Sequence, residues 1–325
     1  MSKNILIILT GGTISMKATD PAGVIPSPEF GNFLRQFPQL NSVANVEVMD
    51  YLNIPSPYMT PEMMFELAEL IDLKIIDYDG VVVTHGTDTL EESAFLCDLV
   101  LTTRKPVIFT AAMRSGNEIG LDGPRNIIGS VRVASHPESM DKGVLVVMND
   151  EIHTARDVVK ADTGKIDAFV SPGYGPIGYV DPDTIVYHRV SLYRENVWTE
   201  QLDTRVELIK AVAGMDGKFI RCCLEKGVKA IVIEAFGRGN LPNTIVPDLE
   251  AAIAMNVLVV ITSRTYTGRV LPEYGYDGGG KHLESIGCIL AGDMKGVKAR
   301  LKLMALFGKY QDCDIVKRFF KQSLL

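Results

Sequence analysis

Short apolar runs alternate with helical patterns along the first half of the chain. The run from Ile5 to Leu9 is continuously apolar, which is typical of a strand buried on both faces. Strands are also predicted at residues 46–51, 80–84, 107–110 and 144–148. One helix is predicted to begin at Thr60 and Pro61, which cap and open it. The strand at 80–84 is followed by a loop and then by a helix through Leu101, and a further helix is predicted at residues 126–134. Strands separated by helices predict a parallel sheet covered on both faces.

A stretch of mixed charge without a clear period, residues 191–208, interrupts this pattern and holds the only tryptophan, Trp198. We interpret residues 191–212 as a linker between an N-terminal domain, residues 1–190, and a C-terminal domain, residues 213–325. In the second domain the pattern predicts strands at 230–233, 258–262 and 288–290, and helices at 218–226, 248–255 and the C-terminus. The predicted fold is α/β, with a larger, doubly wound, flavodoxin-like and mostly parallel N-terminal sheet and a smaller, Rossmann-like C-terminal α/β domain.

The composition is that of an acidic globular protein, and it narrows the classes of function. Lys plus Arg is 33 and Asp plus Glu is 40, for a net charge of −7, so the basic face that nucleic acid requires is not expected. The five cysteines include no CxxC motif, which argues against a disulfide framework and a zinc site. No apolar stretch approaches the roughly 20 residues of a membrane span, and the N-terminal run is too short for a signal peptide. We expect a cytoplasmic protein with no membrane or nucleic-acid partner.

Two loops that follow predicted strands carry the candidate chemistry. The loop Thr10–Ile14 reads TGGTI and follows the first strand, while the loop His85–Thr89 reads HGTDT and follows the strand at 80–84. Ligands of doubly wound sheets bind at the carboxyl ends of strands. Glycines there allow close approach of the backbone, and the start of a helix favours an anion. Each loop by itself is explained equally well as a turn or a helix cap.

Two other ligand classes have weaker support. His85 and Asp88 could suggest a metal, but no HExxH motif or second histidine lies nearby, so we predict no metal site. The segment Gly275–Lys281 fits the pattern GxxxxGK, yet His282 stands where a nucleotide-binding loop needs Ser or Thr. A nucleotide-dependent α/β enzyme remains an alternative that a nucleotide-binding assay would reveal.

Together, the two loops resemble the L-asparaginase family of threonine amidohydrolases, and the resemblance covers nearly the whole chain. Further matching segments are Asn53–Ser56, Ala111–Arg114, Asp122–Pro124, Arg156–Lys160 and Gly237–Asn240. The resemblance implies hydrolysis of L-asparagine, a small-molecule substrate, to L-aspartate and ammonia through a threonine acyl-enzyme. It implies no metal and no organic cofactor.

Acyl transfer from an amide needs a nucleophile, a proton acceptor, an oxyanion site and clamps for the charged groups of the substrate. By the family pattern, Thr13 forms the acyl-enzyme. Thr87, Asp88 and Lys160 form a second cluster that moves protons or activates water. Lys160 is a base if neutral and a proton relay if charged, and both roles stay open because burial lowers a lysine pKa whereas a nearby carboxylate raises it.

The resemblance also implies how substrate and subunits are held. Ser56 is the candidate for the substrate carboxylate and Asp88 for its ammonium group, and backbone N–H groups of Thr87 and Ala112 would hold the oxyanion. Asn240 matches a family residue that is donated across the subunit interface. Glu273 matches an acidic residue that a neighbouring subunit sends toward the substrate amine. The implied assembly is a homotetramer, a dimer of dimers.

One departure from the family pattern concerns the loop after the nucleophile, residues 15–28, which is predicted to act as a lid over the substrate. Many family members have a tyrosine in this loop, and Val24 occupies the matching position here. Tyr58 is one candidate substitute. Preference among asparagine, glutamine and D-asparagine stays open, because one methylene changes the binding free energy by only about 1–3 kcal/mol.

Two alternatives share these motifs. The amidotransferase subunit that liberates ammonia for glutaminyl-tRNA synthesis carries an extra N-terminal domain, and a motif that begins at residue 10 leaves no room for one. A non-catalytic amino-acid sensor would keep the pocket without turnover, and the missing tyrosine favours it. Ammonia release separates this sensor from an enzyme.

Overall fold

The structure is a computed structural model that describes residues 2–19, 23–26, 38–116, 118–192 and 194–322, with the backbone alone at 15–19 and 23–26. The chain forms two compact units, Met1–Asn196 and Val197–Leu325. In the part of the chain that is described, no helix is long and apolar enough to cross a membrane.

The first unit is built on a large mixed sheet. The strands of this unit are β1 (Asn4–Gly11), β2 (Met16–Thr19), β3 (Gly23–Pro26), β4 (Asn45–Ile54), β5 (Gly80–Thr84), β6 (Val107–Thr110), β7 (Val144–Met148), β8 (Glu151–Thr154), β9 (Val159–Lys160), β10 (Phe169–Val170), β11 (Gly178–Val180) and β12 (Ile185–Tyr187). Its helices are α1 (Pro38–Asn41), α2 (Pro61–Lys74), α3 (Leu90–Val100) and α4 (Gly123–Ser135).

Eight of these strands form one sheet in the order β12-β11-β8-β7-β6-β5-β1-β4. The strands β4, β1, β5, β6 and β7 are parallel, whereas β8, β11 and β12 extend the sheet as antiparallel strands. The parallel strands follow the flavodoxin-like order, in which the direction of winding changes between β1 and β5. A ligand site is therefore expected where β1 and β5 end.

The pattern of burial explains why the strands were visible in the sequence. Ile5 and Ile7 of β1 pack in one core cluster with Ile127 and Val131 of α4. Leu6 and Ile8 point to the opposite face and are also buried, because successive strand side chains alternate between faces. The central strands β5, β6 and β7 are buried along their whole length, as continuous apolar runs require.

The second unit has a parallel sheet of four strands in the order β13-β14-β15-β16. The strands are β13 (Val206–Lys210), β14 (Ala230–Ala235), β15 (Leu258–Ser263) and β16 (Ile289–Leu290); the helices are α5 (Lys218–Glu225), α6 (Val246–Ala254), α7 (Gly280–Ser285), α8 (Gly296–Lys309) and α9 (Cys313–Gln322). The predicted fold class, with a mostly parallel N-terminal sheet and a second α/β unit, is confirmed.

Two local predictions need correction. The segment predicted as a linker, residues 191–212, contains β13, which pairs in parallel with β14. Glu207 and Lys210 on this edge strand are exposed, so its charged residues obscured the strand pattern. The hairpin of β7 and β8 was also missed. It turns at Asn149 and Asp150, whose φ values are 50° and 62°, as in the type I′ turns that favour Asn and Asp.

Candidate active site

Four loops meet where β1, β4, β5 and β6 end. The Gly12 N–H donates to the Ile54 carbonyl at 3.2 Å, which ties the loop after β1 to the end of β4. The Thr10 hydroxyl donates to the Thr84 carbonyl at 2.9 Å, and the His85 N–H donates to the Thr110 carbonyl at the same distance. These hydrogen bonds hold the loops Thr10–Ile14 and His85–Thr89 together at the switch point of the sheet.

Glycines let these loops cross without side chains between them. Gly12 has a φ of 81°, and a Cβ there would lie 2.3 Å from the Gly86 Cα, closer than any non-bonded carbon pair can stand. A Cβ at Gly86 would lie 2.5 Å from the Ser56 Cβ. The backbone segments that carry Thr13, Ser56 and Thr87 are therefore in contact, as the two loop motifs predict.

Lys160 reaches this point from a distant part of the chain. Its ammonium donates to the Thr87 hydroxyl at 2.9 Å and to the Asp88 carboxylate at 2.6 Å. The Lys160 side chain is 16% exposed and that of Asp88 is 58% exposed. The structure thus brings together the predicted hydroxyl–carboxylate–ammonium cluster, with one face of the carboxylate open to solvent.

The position of Lys160 depends on a short hairpin. Lys160 lies on β9, opposite Phe169 of β10, and its N–H lies 3.4 Å from a Glu91 carboxylate oxygen on α3. The turn before β9 is closed by the Thr154 hydroxyl, which donates to the buried Asp157 carboxylate at 2.9 Å. The pairing of β9 with β10 and the contact with Glu91 therefore hold the backbone of Lys160 in place.

Ser56 is buried beneath the HGTDT loop. Its hydroxyl oxygen accepts the Asp88 N–H at 3.2 Å, which leaves the hydroxyl proton for another acceptor. The Thr89 hydroxyl donates to the Ser56 carbonyl at 2.9 Å. Ser56 and Asp88 are therefore adjacent, as a clamp for the carboxylate and ammonium groups of one amino acid requires.

The loop after β6 carries Ala112 and is held by α4. The Asp122 carboxylate accepts the N–H groups of Met113 and Arg114 at 2.8 and 3.1 Å, and Asn126 donates to the Ala111 carbonyl at 3.0 Å. A Cβ at Gly123 would lie 3.2 Å from the Ile14 side chain and 3.4 Å from the Ala112 Cβ. Ala112 therefore lies beside the loop of Thr13.

His85 is fully buried, and both of its ring nitrogens are engaged. Nδ1 lies 2.8 Å from the Gly86 carbonyl and Nε2 lies 2.9 Å from the Ser93 hydroxyl. Burial lowers its pKa to about 4, so the ring is neutral near pH 7. Among the described residues, no group of three or more His, Cys, Asp and Glu is arranged to hold a metal.

Asn240 and Glu273 belong to the second unit. The Asn240 side-chain oxygen accepts the Gly280 N–H at 3.2 Å, and Glu273 forms an ion pair with Arg238 at 3.1 Å. The Arg238 carbonyl accepts the Leu271 N–H, so both residues lie in one loop cluster. Their action on a neighbouring subunit stays a prediction.

The GxxxxGK segment in this cluster is not built as a phosphate loop. The N–H of Gly278 donates to His282, that of Gly279 to Tyr276 and that of Lys281 to the Tyr274 carbonyl. The backbone donors that phosphate would need are used within the loop.

The loop predicted as a lid is described only in part. Residues 16–19 and 23–26 pair as an antiparallel hairpin, with Val24 opposite Ala18, while residues 20–22 and 27–28 and the Val24 side chain lie outside the described part. Tyr58 is 70% exposed, and the part of the chain that the structure describes contains no hydrogen bond between Tyr58 and Thr13. The role of Tyr58 as a substitute for the loop tyrosine stays a prediction.

Sequence reasoning missed the supporting side chains His85, Ser93 and Asn126 as functional positions. The sequence pattern presents His85 only as a possible metal ligand and Asn126 only as the start of a helix. Asn126 follows Asp122 by one helical turn, and this i, i+4 spacing is a signal that could have found the pair.

The fold and this cluster are those of an α/β protein whose candidate site lies at the switch point of a flavodoxin-like sheet. The profile described as "Asparaginase, N-terminal" matches residues 4–193, and that described as "Glutaminase/Asparaginase C-terminal domain" matches residues 205–320. An L-asparaginase of Bacillus licheniformis is 35% identical over 96% of this chain and 98% of its own. A probable L-asparaginase of Deinococcus radiodurans is 38% identical over 98% and 97%.

A solved structure of a related protein has the same fold as this chain. The probable cytoplasmic L-asparaginase of Campylobacter jejuni superposes with a TM-score of 0.88 at 30% identity, covering 98% of this chain and 99% of that one. The chain therefore belongs to the asparaginase family of amidohydrolases.

Proposed function

We propose that this protein is an L-asparaginase that hydrolyses L-asparagine to L-aspartate and ammonia through an acyl-enzyme on Thr13. One observation carries the proposal: the Lys160 ammonium joins Thr87 and Asp88 beside the loop of Thr13, in a chain of the asparaginase family. The nucleophile, the oxyanion donors, the proton relay and the clamps for the substrate each have a group in the chain, and the proposal names no metal or organic cofactor.

In the first half-reaction, Thr13 Oγ1 attacks the side-chain amide carbon of the substrate. The hydroxyl proton passes to an acceptor, and the carbonyl oxygen becomes an oxyanion held by the N–H groups of Thr87 and Ala112. The C–N bond then breaks, and the leaving nitrogen takes up the proton that Thr13 released and departs as ammonia. The product at this stage is an aspartyl ester of Thr13.

In the second half-reaction, the cluster of Thr87, Lys160 and Asp88 orients a water molecule toward the ester carbonyl. Water adds to this carbonyl, its proton enters the cluster, and the Thr13 oxygen leaves with a proton. The pairing of the Lys160 ammonium with both partners supports a proton relay over a free base, because a lysine that donates has to lose a proton before it can accept one.

The charged groups of the substrate are bound by adjacent residues. The Ser56 hydroxyl donates to the α-carboxylate, and the exposed side of Asp88 accepts the α-ammonium. Asn240 and Glu273 complete the site of a neighbouring subunit, so we propose a homotetramer formed as a dimer of dimers. The assembly is carried over from the family resemblance, and it is compatible with the position of both residues in one loop cluster of the second unit.

We further propose that the protein acts in the cytoplasm, away from membranes and nucleic acid. All five cysteines are unpaired, as in a reducing compartment, and the similar structure from Campylobacter jejuni is described as cytoplasmic.

The experiment that tests the proposal is ammonia release by the purified protein from L-asparagine, D-asparagine and L-glutamine over a wide range of concentration. Turnover of L-asparagine with the highest kcat/KM supports an asparaginase. Preferential turnover of glutamine would contradict the proposed substrate, and binding of L-asparagine without ammonia release would favour the amino-acid sensor.

A further inference from the structure

The two backbone N–H groups assigned to the oxyanion share one structural setting. A trans peptide holds the C=O of one residue antiparallel to the N–H of the next. The direction of the Thr87 N–H is therefore set by the Gly86 carbonyl, and that of the Ala112 N–H by the Ala111 carbonyl. Each of these carbonyls is held by a buried side chain.

His85 holds the first carbonyl. A carbonyl oxygen only accepts, so the contact of 2.8 Å requires the ring proton on Nδ1. Nε2 of the neutral ring then accepts the Ser93 hydroxyl at 2.9 Å. Both His85 and Ser93 are fully buried, so α3 fixes the tautomer and the orientation of the ring.

Asn126 holds the second carbonyl. Its amide nitrogen donates to the Ala111 carbonyl at 3.0 Å, and its amide oxygen accepts the Asn149 N–H at 3.0 Å. The amide nitrogen also lies 3.3 Å from the Asp122 carboxylate. Because one end of the amide accepts and the other donates, the orientation of Asn126 is fixed.

The opposite sides of these two peptides are left for a ligand. The structure gives neither the Thr87 N–H nor the Ala112 N–H an acceptor among the described residues, although Thr87 and Ala112 are 7% and 1% exposed. Buried amides are almost always paired, so an unpaired couple at the meeting point of the loops fits donors that await a developing negative charge.

We propose that His85, oriented by Ser93, and Asn126, oriented by Asp122, are positioning residues that aim the Thr87 and Ala112 N–H groups at the oxyanion. The inference rests on the proposed function, which supplies that oxyanion. Both side chains act through a carbonyl on the far side of the peptide, and neither touches the substrate.

Two variants at His85 separate the effect of its hydrogen bond to the Gly86 carbonyl from the effect of its packing in the core. The amide nitrogen of His85→Asn can occupy the place of Nδ1 and donate to Gly86, whereas that of His85→Gln reaches the place of Nε2 and meets only Ser93. We expect kcat for L-asparagine within about threefold of wild type in His85→Asn. In His85→Gln we expect kcat about tenfold to a hundredfold lower with KM nearly unchanged, because oxyanion bonds form only in the transition state.

Asn126→Leu removes the second donor and keeps the side chain at a similar size. Ser130→Ala is the matched control, because Ser130 is buried on the same helix and donates to the Asn126 carbonyl at 2.7 Å without contact to Ala111. We expect kcat to fall in Asn126→Leu and to stay near the wild-type value in Ser130→Ala. Thermal unfolding and the affinity for L-aspartate are measured for every variant, so that loss of folding or of binding is recognised.

Equal kcat values in the two His85 variants would overturn the inference, as would a loss in Ser130→Ala that matches Asn126→Leu. Should Asn126→Leu fail to fold, the His85 pair still decides the case. A wild-type protein that releases no ammonia would reject the proposed function together with this inference. Wild-type turnover with an unimpaired His85→Gln would reject this inference alone.

Discussion

The Lys160 ammonium lies 2.9 Å from the Thr87 hydroxyl, although the two residues are 73 positions apart in the chain. The contact joins a two-stranded hairpin to the loop after β5 and places a cation, a hydroxyl and the Asp88 carboxylate in one cluster. Such a cluster can pass a proton between its members without moving a loop. The proposed hydrolysis of the acyl-enzyme uses it in this way.

We expect Lys160→Met to lower kcat for L-asparagine by about a hundredfold or more, the range for loss of a group that transfers protons. Its stability should change little, because Asp88 is 58% exposed and water can solvate the carboxylate left behind. Lys165→Met is a suitable control, since Lys165 pairs with Asp162 at 3.7 Å on the surface. More than a tenth of wild-type turnover in Lys160→Met would exclude the lysine from the proton path.

Thr13→Ala should abolish ammonia release while the protein stays folded. The substitution removes a hydroxyl from a partly exposed residue and leaves no large cavity. Mass spectrometry gives an independent measure, because Lys160→Met incubated with L-asparagine should accumulate an aspartyl ester on the peptide that contains Thr13. An ester on the Thr87 peptide, or more than a tenth of wild-type activity in Thr13→Ala, would transfer the nucleophile role to Thr87.

Much of the scaffold could be predicted because its signals are local. Thr60 caps α2 as expected, accepting the Met63 N–H at 3.3 Å, and the buried run of β1 ends at the glycines that turn the chain toward Thr13. The loops after β1 and β5 were placed at the same edge of the sheet because parallel strands end together.

The rest of the site depends on contacts that spacing does not encode. Lys160 lies on a strand of two residues, too short for any periodic pattern, so only the family resemblance pointed to it. The sequence suggested only a metal-binding role for His85, because it does not show whether a histidine side chain is buried. Its bonds to Gly86 and Ser93 follow from the packing of α3 under the loop.

Gly12→Ala should disrupt the site far more than its backbone strain explains. Gly12 and Gly173 have φ values of 81° and 80°, but a Cβ at Gly12 would lie 2.3 Å from the Gly86 Cα, while a Cβ at Gly173 meets nothing within 4 Å. Both alanine variants pay a strain of about 1–2 kcal/mol, and only Gly12→Ala pushes two loops apart. We expect loss of kcat in Gly12→Ala and near wild-type kcat in Gly173→Ala. Similar activity of the two variants would show that the loops separate without cost to the site.

The stability of the protein should depend on pH through the buried ring of His85. Burial lowers its pKa to about 4, below the value of about 6.5 in an unfolded chain. Between these values the unfolded state binds more protons than the folded state, so the free energy of unfolding rises with pH. This contribution is fully present above about pH 6.5 and is lost as the pH falls toward 4.

The expected loss over that interval is about 3 kcal/mol, since one pKa unit corresponds to about 1.4 kcal/mol. His85→Asn has no group that titrates there, so the difference between wild type and His85→Asn isolates His85 from the other ionisable groups. Urea unfolding of both proteins from pH 4.5 to 7, at one protein concentration because assembly shifts apparent stability, measures this difference. Parallel stability curves would mean that the pKa of His85 is the same in the folded and the unfolded protein, and the depression of that pKa by burial would then have to be abandoned.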